Sequence, residues 1–187
     1  KRMFDGPVNV KWSGAKGDAS TADDAAFSAW WTYLTTNISD GYIPSGVYRL
    51  AAQVTWNLGV SSTLAGRGFN ITTAGSQAVK MIFDTGVASP NMLITCITGA
   101  SIANHFRFQG IGVHGNVDGT VLQIGRTDLS DIMVSCDFDF VVSNSSNTSS
   151  AIAQDLNYLI NCRGKTIAVG ASTSNGQGVR IRQVIYS

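Results

Sequence analysis

Asp137 and Asp139 are the residues whose type and spacing come nearest to a catalytic pair. Hydrolysis of a glycosidic bond uses two carboxylates flanking the bond, about 5 to 5.5 Å apart for retention and about 6.5 to 9.5 Å for inversion. In a strand, residues two apart share a face at about 7 Å, so both carboxylates would stand on the outer wall. Cys136, Phe138 and Phe140 would then point the other way. One carboxyl could stay protonated if the charge of its neighbour raised its pKa. A plainer reading stands beside the catalytic one: alternating Asp and Phe also describe a half-buried strand that shows solvent its polar side. His114 follows Val113 and so faces away from the core, as a proton carrier, a sugar contact or simply a surface histidine. Alternation along Arg180-Ile-Arg182 puts both guanidinium groups on one outer face, where they could grip a carboxylate. Asp128 and Asp131 flank a turn and read as turn formers. Asp23 and Asp24 belong to a helix start. There is no Gly-x-Ser-x-Gly elbow for serine chemistry. No cluster of carboxylates suits calcium, and no metal or cofactor is expected.

Such side chains need strands to hold them, and the stretch Phe106 to Asn116 supplies the pattern. Ile111 and Val113 reappear 21 residues on as Ile132 and Val134, and 26 residues beyond that as Tyr158 and Ile160. Gly115, Cys136 and Cys162 then fall into one column. Repeats of this length mean stacked coils. Each unit is rich in β-branched residues and punctuated by Gly, Asn, Asp and Ser, with no helical stretch long enough for a βαβ crossover. The expectation is an all-β chain wound as a parallel β-helix, a solenoid. Further strands are expected at Ser62 to Leu64, Val79 to Phe83, Met92 to Ile97 and Val179 to Tyr186. Ser143 to Ser150 reads as a polar loop projecting from one coil. Cys136 and Cys162 would lie on neighbouring coils about 4.8 Å apart, close enough for a disulfide on distance alone. Two reduced thiols packed as small apolar groups are the favoured reading. None of the three cysteines has a Cys-x-x-Cys spacing that would suit a metal.

Residues 1–42 differ from 43–187 and are expected to form an amino-terminal strand, turn and capping helix within one domain. Val8 to Trp12 alternates as a strand, and Ser13 to Asp18 is a glycine-punctuated turn. Thr21 suits a helix N-cap with Asp24 in the first turn, and Phe27, Trp30, Trp31 and Leu34 follow the i, i+3, i+4, i+7 rule. That stripe is suited to plug the apolar end of a stack of coils. The two tryptophans also admit a reading as a sugar platform, but helical spacing favours core packing. Ile43-Pro-Ser-Gly-Val-Tyr48 then combines a turn with a strand running on to Leu50, where the coils start.

Composition sets the surroundings. The 187 residues are 44% hydrophobic but only 13% charged, against about 25% charged in an average soluble protein. All 12 acidic residues are Asp, which suits turns better than helices. A net charge of +1, with its few basic residues scattered, leaves no field for a nucleic acid. No apolar run approaches the roughly 20 residues that cross a bilayer, and Lys1 to Asp5 is not followed by a signal-peptide core. A chain starting at Lys1 is expected to have been processed or cut from something longer. One that stops within a strand is expected to continue or to be covered by another chain.

Gly14-Ala-Lys-Gly-Asp18, Asp23-Asp24-Ala-Ala-Phe27, Ile43-Pro-Ser-Gly-Val-Tyr48, Leu64-Ala-Gly66-Arg-Gly68 and Phe108-Gln-Gly110-Ile-Gly-Val-His-Gly-Asn116 follow one another in order. Together they resemble the pectate-lyase-like family of right-handed β-helices, and within it bacteriophage tailspikes and tail fibres. The resemblance covers Val8 to Asn116, and the later coils agree in pattern. It implies a right-handed β-helix, a homotrimer attached to other virion tail proteins, and a bacterial surface polysaccharide as ligand. The protein would then lie in the virion tail or outside the cell. It also implies an alternative, a depolymerase of the glycoside hydrolase or polysaccharide lyase class acting on capsule or O-antigen. Arg180-Ile-Arg182 resembles the Arg-Ile-Lys segment that binds acidic sugars in polygalacturonase-type hydrolases. The Asn-Thr-Asp, Asp-Asp and Gly-His-Gly motifs of that group are absent, and Gly112-Val-His-Gly115 is a broken echo of the last.

Overall fold

The computed structural model describes residues 6–58, 70–74, 78–96, 102–169 and 177–185. The chain opens with β1 (Val8–Asn9), a 3-10 turn (Val10–Ser13), β2 (Asp18–Ala22), α1 (Asp24–Asn37), β3 (Gly41–Ile43) and β4 (Gly46–Leu50). Next come β5 (Val54–Leu58), β6 (Asn70–Thr73), β7 (Val79–Phe83), β8 (Met92–Cys96), β9 (Ile102–Asn104), β10 (Arg107–Gly115) and β11 (Thr120–Ile124). The last described strands are β12 (Ile132–Val134), β13 (Asp137–Asn144), β14 (Ile152–Leu156), β15 (Leu159–Ile160), β16 (Arg163–Val169), β17 (Gln177–Ile181) and β18 (Val184–Ile185). The chain is mostly β, its described sheets are parallel, and α1 is the one α-helix among the described residues. The strand expected at Ser62 to Leu64 lies outside the described residues.

Three parallel sheets share the strands. One has the order β17-β14-β11-β8-β5, a second β18-β15-β12-β9, and the other nine strands form the third. Each later pass of the chain lays one strand on each sheet: β10, β11 and β12, then β13, β14 and β15, then β16, β17 and β18. Between these three passes, paired residues are separated by 25 positions (Ile152 to Gln177) up to 32 (Thr120 to Ile152).

The expected step of 21 residues is not one of these pairings. Ile111, Val113 and Gly115 face Phe140, Val142 and Asn144, whereas Ile132 and Val134 lie in β12 on another sheet. Every strand of a pass carries the same two-residue alternation, so apolar pairs recur between successive strands as well as between stacked ones. The second step holds. Val134 faces Ile160, and Asp137 faces Arg163, which sets Cys136 beside Cys162.

The third sheet begins as two arms, β1-β3-β6 and β2-β4-β7, which β10 joins. Arg107 and Phe108 pair with Asn70 and Ile71, and Gly112 to His114 pair with Lys80 to Ile82. Gly110 sits at the joint with φ 69°, where the register against β13 shifts. Glycine takes that left-handed backbone without a Cβ penalty.

An aromatic spine runs through the core. Trp31 stacks on Trp56 at 4.8 Å, Trp56 on Phe108 at 5.7 Å and Phe108 on Phe138 at 5.8 Å. Phe27, Trp30, Trp31 and Leu34 are all buried, as their helical spacing requires, so both tryptophans are core residues. Trp30 Nε1 donates to the carbonyl of Val8 at 2.7 Å, and Trp31 Nε1 to that of Asn57 at 3.3 Å.

The helix start differs from expectation. Thr21 lies in β2, and Asp23 occupies the N-cap position. The Asp23 carboxylate is buried and accepts from the backbone N–H groups of Lys16 (2.7 Å) and Gly17 (3.1 Å), so it ties down the preceding turn. Thr21 donates its hydroxyl to Asp18 instead. The strand expected over Val8 to Trp12 also gives way after Asn9 to the 3-10 turn, whose first N–H groups are met by the Asn9 side chain on Lys11 N at 2.9 Å.

Candidate functional site

In the third sheet β13 alternates a buried with a less buried residue along Asp137–Asn144. Phe138, Phe140 and Val142 are buried, so Asp137 and Asp139 share the outer face as their spacing requires. They do not form a free acidic pair. Asp137 accepts an ion pair from Arg107 Nε at 3.0 Å, and in register it lies between Arg107 and Arg163. Asp139 faces Lys165 in register.

His114 reaches across to the next strand, where its Nδ1 lies 2.6 Å from Ser143 Oγ. Burial holds its pKa below the ordinary 6.5, with the charge of Lys80 adding to the effect. The ring is therefore neutral at neutral pH, a hydrogen-bonding group and not a cation.

Arg180 and Arg182 converge, as alternation demands, but on a residue of their own chain. Asp155 has a fully buried side chain; Arg180 Nη2 bonds its Oδ2, and Arg182 Nε lies 3.7 Å from its Oδ1. Two guanidinium groups on one carboxylate leave a surplus positive charge. About a third of each arginine side chain remains exposed. Asp131 is another buried anchor and not a turn former: its carboxylate accepts from Thr95 Oγ1 and from Cys96 N, with Arg126 Nε 3.6 Å away. Asp128 does form the turn, accepting from Ser130 N at 3.0 Å. The loop after β13 is only partly solvent-facing. Asn144 is buried and donates its amide to the carbonyls of Val117, Gly119 and Ile152.

A groove of about 310 Å³ opens where α1 crosses β5, the edge strand of the five-stranded sheet. Phe27, Trp31, Val54 and Trp56 make its floor. Ser28 and Thr32 line the helix side, Thr55 and Asn57 the strand side, with Asp24 and Gln53 beside them. The lining among the described residues thus combines an apolar base with hydroxyl groups, amides and one carboxylate, without a cation. Asp24 is already fixed, since its Oδ1 accepts from Ala52 N at 2.8 Å, and Gln53 donates to the carbonyl of Pro90 at 2.7 Å. Hydroxyl groups and amides around an apolar base are the chemistry that recognises small hydroxyl-rich molecules.

Sequence reasoning missed Asp155, Ser143 and this groove. The signal for Asp155 was the separation of 25 residues that puts it opposite Arg180, visible only once the stacking register is known. The groove arises from a helix meeting a distant strand, which no local pattern encodes.

The fold and these sites define a mostly β protein whose described residues form parallel sheets and one α-helix. No family model matches the chain, and no curated protein matches it. Two solved structures resemble it. ORF18 of Geobacillus virus E2 is 16% identical with a TM-score of 0.49, over 94% of this chain and 40% of that one. The Agl-KA catalytic domain is 15% identical with a TM-score of 0.50, over 100% of this chain and 38% of that one. The chain therefore spans about two fifths of the length of either, and the second likeness is one of fold alone.

Proposed function

We propose that the chain is a segment of a bacteriophage tailspike or tail fibre that binds a host surface polysaccharide. Its stacked strands wind as a right-handed parallel β-helix capped by α1, and three copies assemble on the virion tail. The observation that carries the binding reading is the groove between α1 and β5. Its volume, apolar floor and polar walls, with the Asp24 carboxylate already held by Ala52 N, suit a sugar residue better than an anionic or purely apolar ligand. The low charge of the whole surface supports the same ligand class, because hydroxyl groups are recognised by hydrogen bonds and need no charge. Val179, Ile181 and Ile185 are exposed on the last described strands and offer apolar surface for burial against another copy.

The depolymerase reading has less support, because Asp137 is tied to Arg107 at 3.0 Å and does not stand as one of two free carboxylates. The two readings part in one experiment. Immobilised capsular and O-antigen polysaccharides are incubated with the purified chain, and both the retained protein and the released sugar are measured. Retention with polysaccharide length unchanged is the expected result. Shortened polysaccharide would establish the depolymerase, and no retention on any polysaccharide would overturn the binding function.

A further inference from the structure

Cys136 and Cys162 each follow a residue with left-handed backbone, Ser135 (φ 51°) and Asn161 (φ 49°). The two corners trace the same path, one stacked on the other. Backbone bonds keep them in step: Ser135 N donates to the carbonyl of Ile160 and Arg163 N to that of Cys136, both at 2.9 Å. Adjacent strands lie about 4.8 Å apart, within the 4.4 to 6.8 Å between Cα atoms that a disulfide spans. Both cysteines are free; Cys136 Sγ donates to the carbonyl of Val134 at 3.3 Å and Cys162 Sγ to that of Met133 at 3.1 Å. Cys136 is fully buried, whereas Cys162 is partly open to solvent. The neighbouring Cys136 thiol holds the Cys162 thiol below its ordinary value, while Cys162 and burial push Cys136 up. The accessible member of the pair therefore ionises first, with the buried one behind it, the arrangement of an attacking and a resolving thiol.

We infer that Cys136 and Cys162 form a thiol–disulfide exchange site whose co-reactant is a low-molecular-weight disulfide. The Cys162 thiolate attacks one sulfur of that molecule; its S–S bond breaks, and the departing thiolate takes up the proton Cys162 released. Cys136 gives up its proton and attacks Sγ of Cys162, expelling the second small thiolate, which takes that proton. Two electrons pass from the protein to the small disulfide, leaving two small thiols and one protein disulfide between neighbouring strands. The weak thiol bonds to the carbonyls of Val134 and Met133 are surrendered. Cys96 takes no part: it is buried on another sheet, and burial together with the charge of Asp131 pushes its thiol up to about 12.

The reduced chain is treated with oxidised glutathione, quenched, denatured, alkylated and weighed. The expected product has lost two hydrogens, carries one alkyl group on Cys96 and yields a cross-linked peptide joining Cys136 to Cys162. In Cys136→Ser the reaction stops with one glutathione on Cys162, and in Cys162→Ser neither remaining cysteine reacts. The oxidised wild type melts at a higher temperature than the reduced form, and reduction reverses the shift. A lasting glutathione adduct on wild-type Cys162, or three alkylated cysteines, overturns the inference. The decisive readout is on the unaltered chain, so a variant that fails to fold does not rescue or sink it.

Discussion

His114 shows how a side chain legible in the sequence acquires its properties from neighbours that are not. Alternation places it on the outer face, but Ser143 and Lys80 come beside it only through stacking. With its pKa held below 6.5, the folded chain resists a proton that the unfolded chain accepts. Stability should therefore fall as pH drops through about 6.5 and level off below the folded value. His114→Gln should flatten that part of the profile, as urea midpoints across the range will show. The arginine pair teaches the same lesson. Its shared face was readable, and its partner Asp155 was not. Replacing Arg180 by Met leaves a fully buried carboxylate with one distant cation and should cost about 3 kcal/mol, measured by urea unfolding. Gln154 makes the opposite case. It stands in an apolar column with Met92 and Leu122, and neither atom of its amide has a partner among the described residues. Gln154→Leu should stabilise the chain by about 1 to 3 kcal/mol in the same assay.

Helix and strands were legible to different degrees. The apolar stripe of α1 and the strands at Val79–Phe83 and Met92–Cys96 follow directly from periodicity. The helix cap did not, because a threonine hydroxyl and a nearby carboxylate compete for the same role, and here Asp23 serves the preceding turn. The first stacking step was misread because strands of one pass carry the same alternation as strands stacked in one sheet. What fixes α1 in place is close contact at Gly41, where an added methyl group would run into Trp30, Leu34 and Ile71. Gly41→Ala should destabilise by about 1 to 3 kcal/mol through overpacking, whereas Ala at the open Gly86 meets no neighbour, and its cost is only the backbone strain of a positive φ. Trp56 lies at the centre of the spine, so Trp56→Ala should cost about 3 to 5 kcal/mol and loosen the helix from the sheets. Calorimetry checks all three substitutions.

The described residues form a stack of parallel strands with few charged side chains and a groove where the helix meets the first strand of a sheet. Composition alone pointed away from nucleic acid, and repetition pointed to stacking. The groove belongs to the tertiary structure. A trimeric tail component should scatter light as about three times the 19.8 kDa chain, and a stable monomer would remove assembly from the account. The central claim is that sugar binds in the groove, and Asn57→Trp tests it most directly. Asn57 is exposed and lends Trp31 only its backbone carbonyl, so an indole there fills the groove without disturbing the core. Retention on the polysaccharide that holds the wild-type chain should then be lost while the melting temperature stays the same. Equal retention of the two proteins would contradict the account.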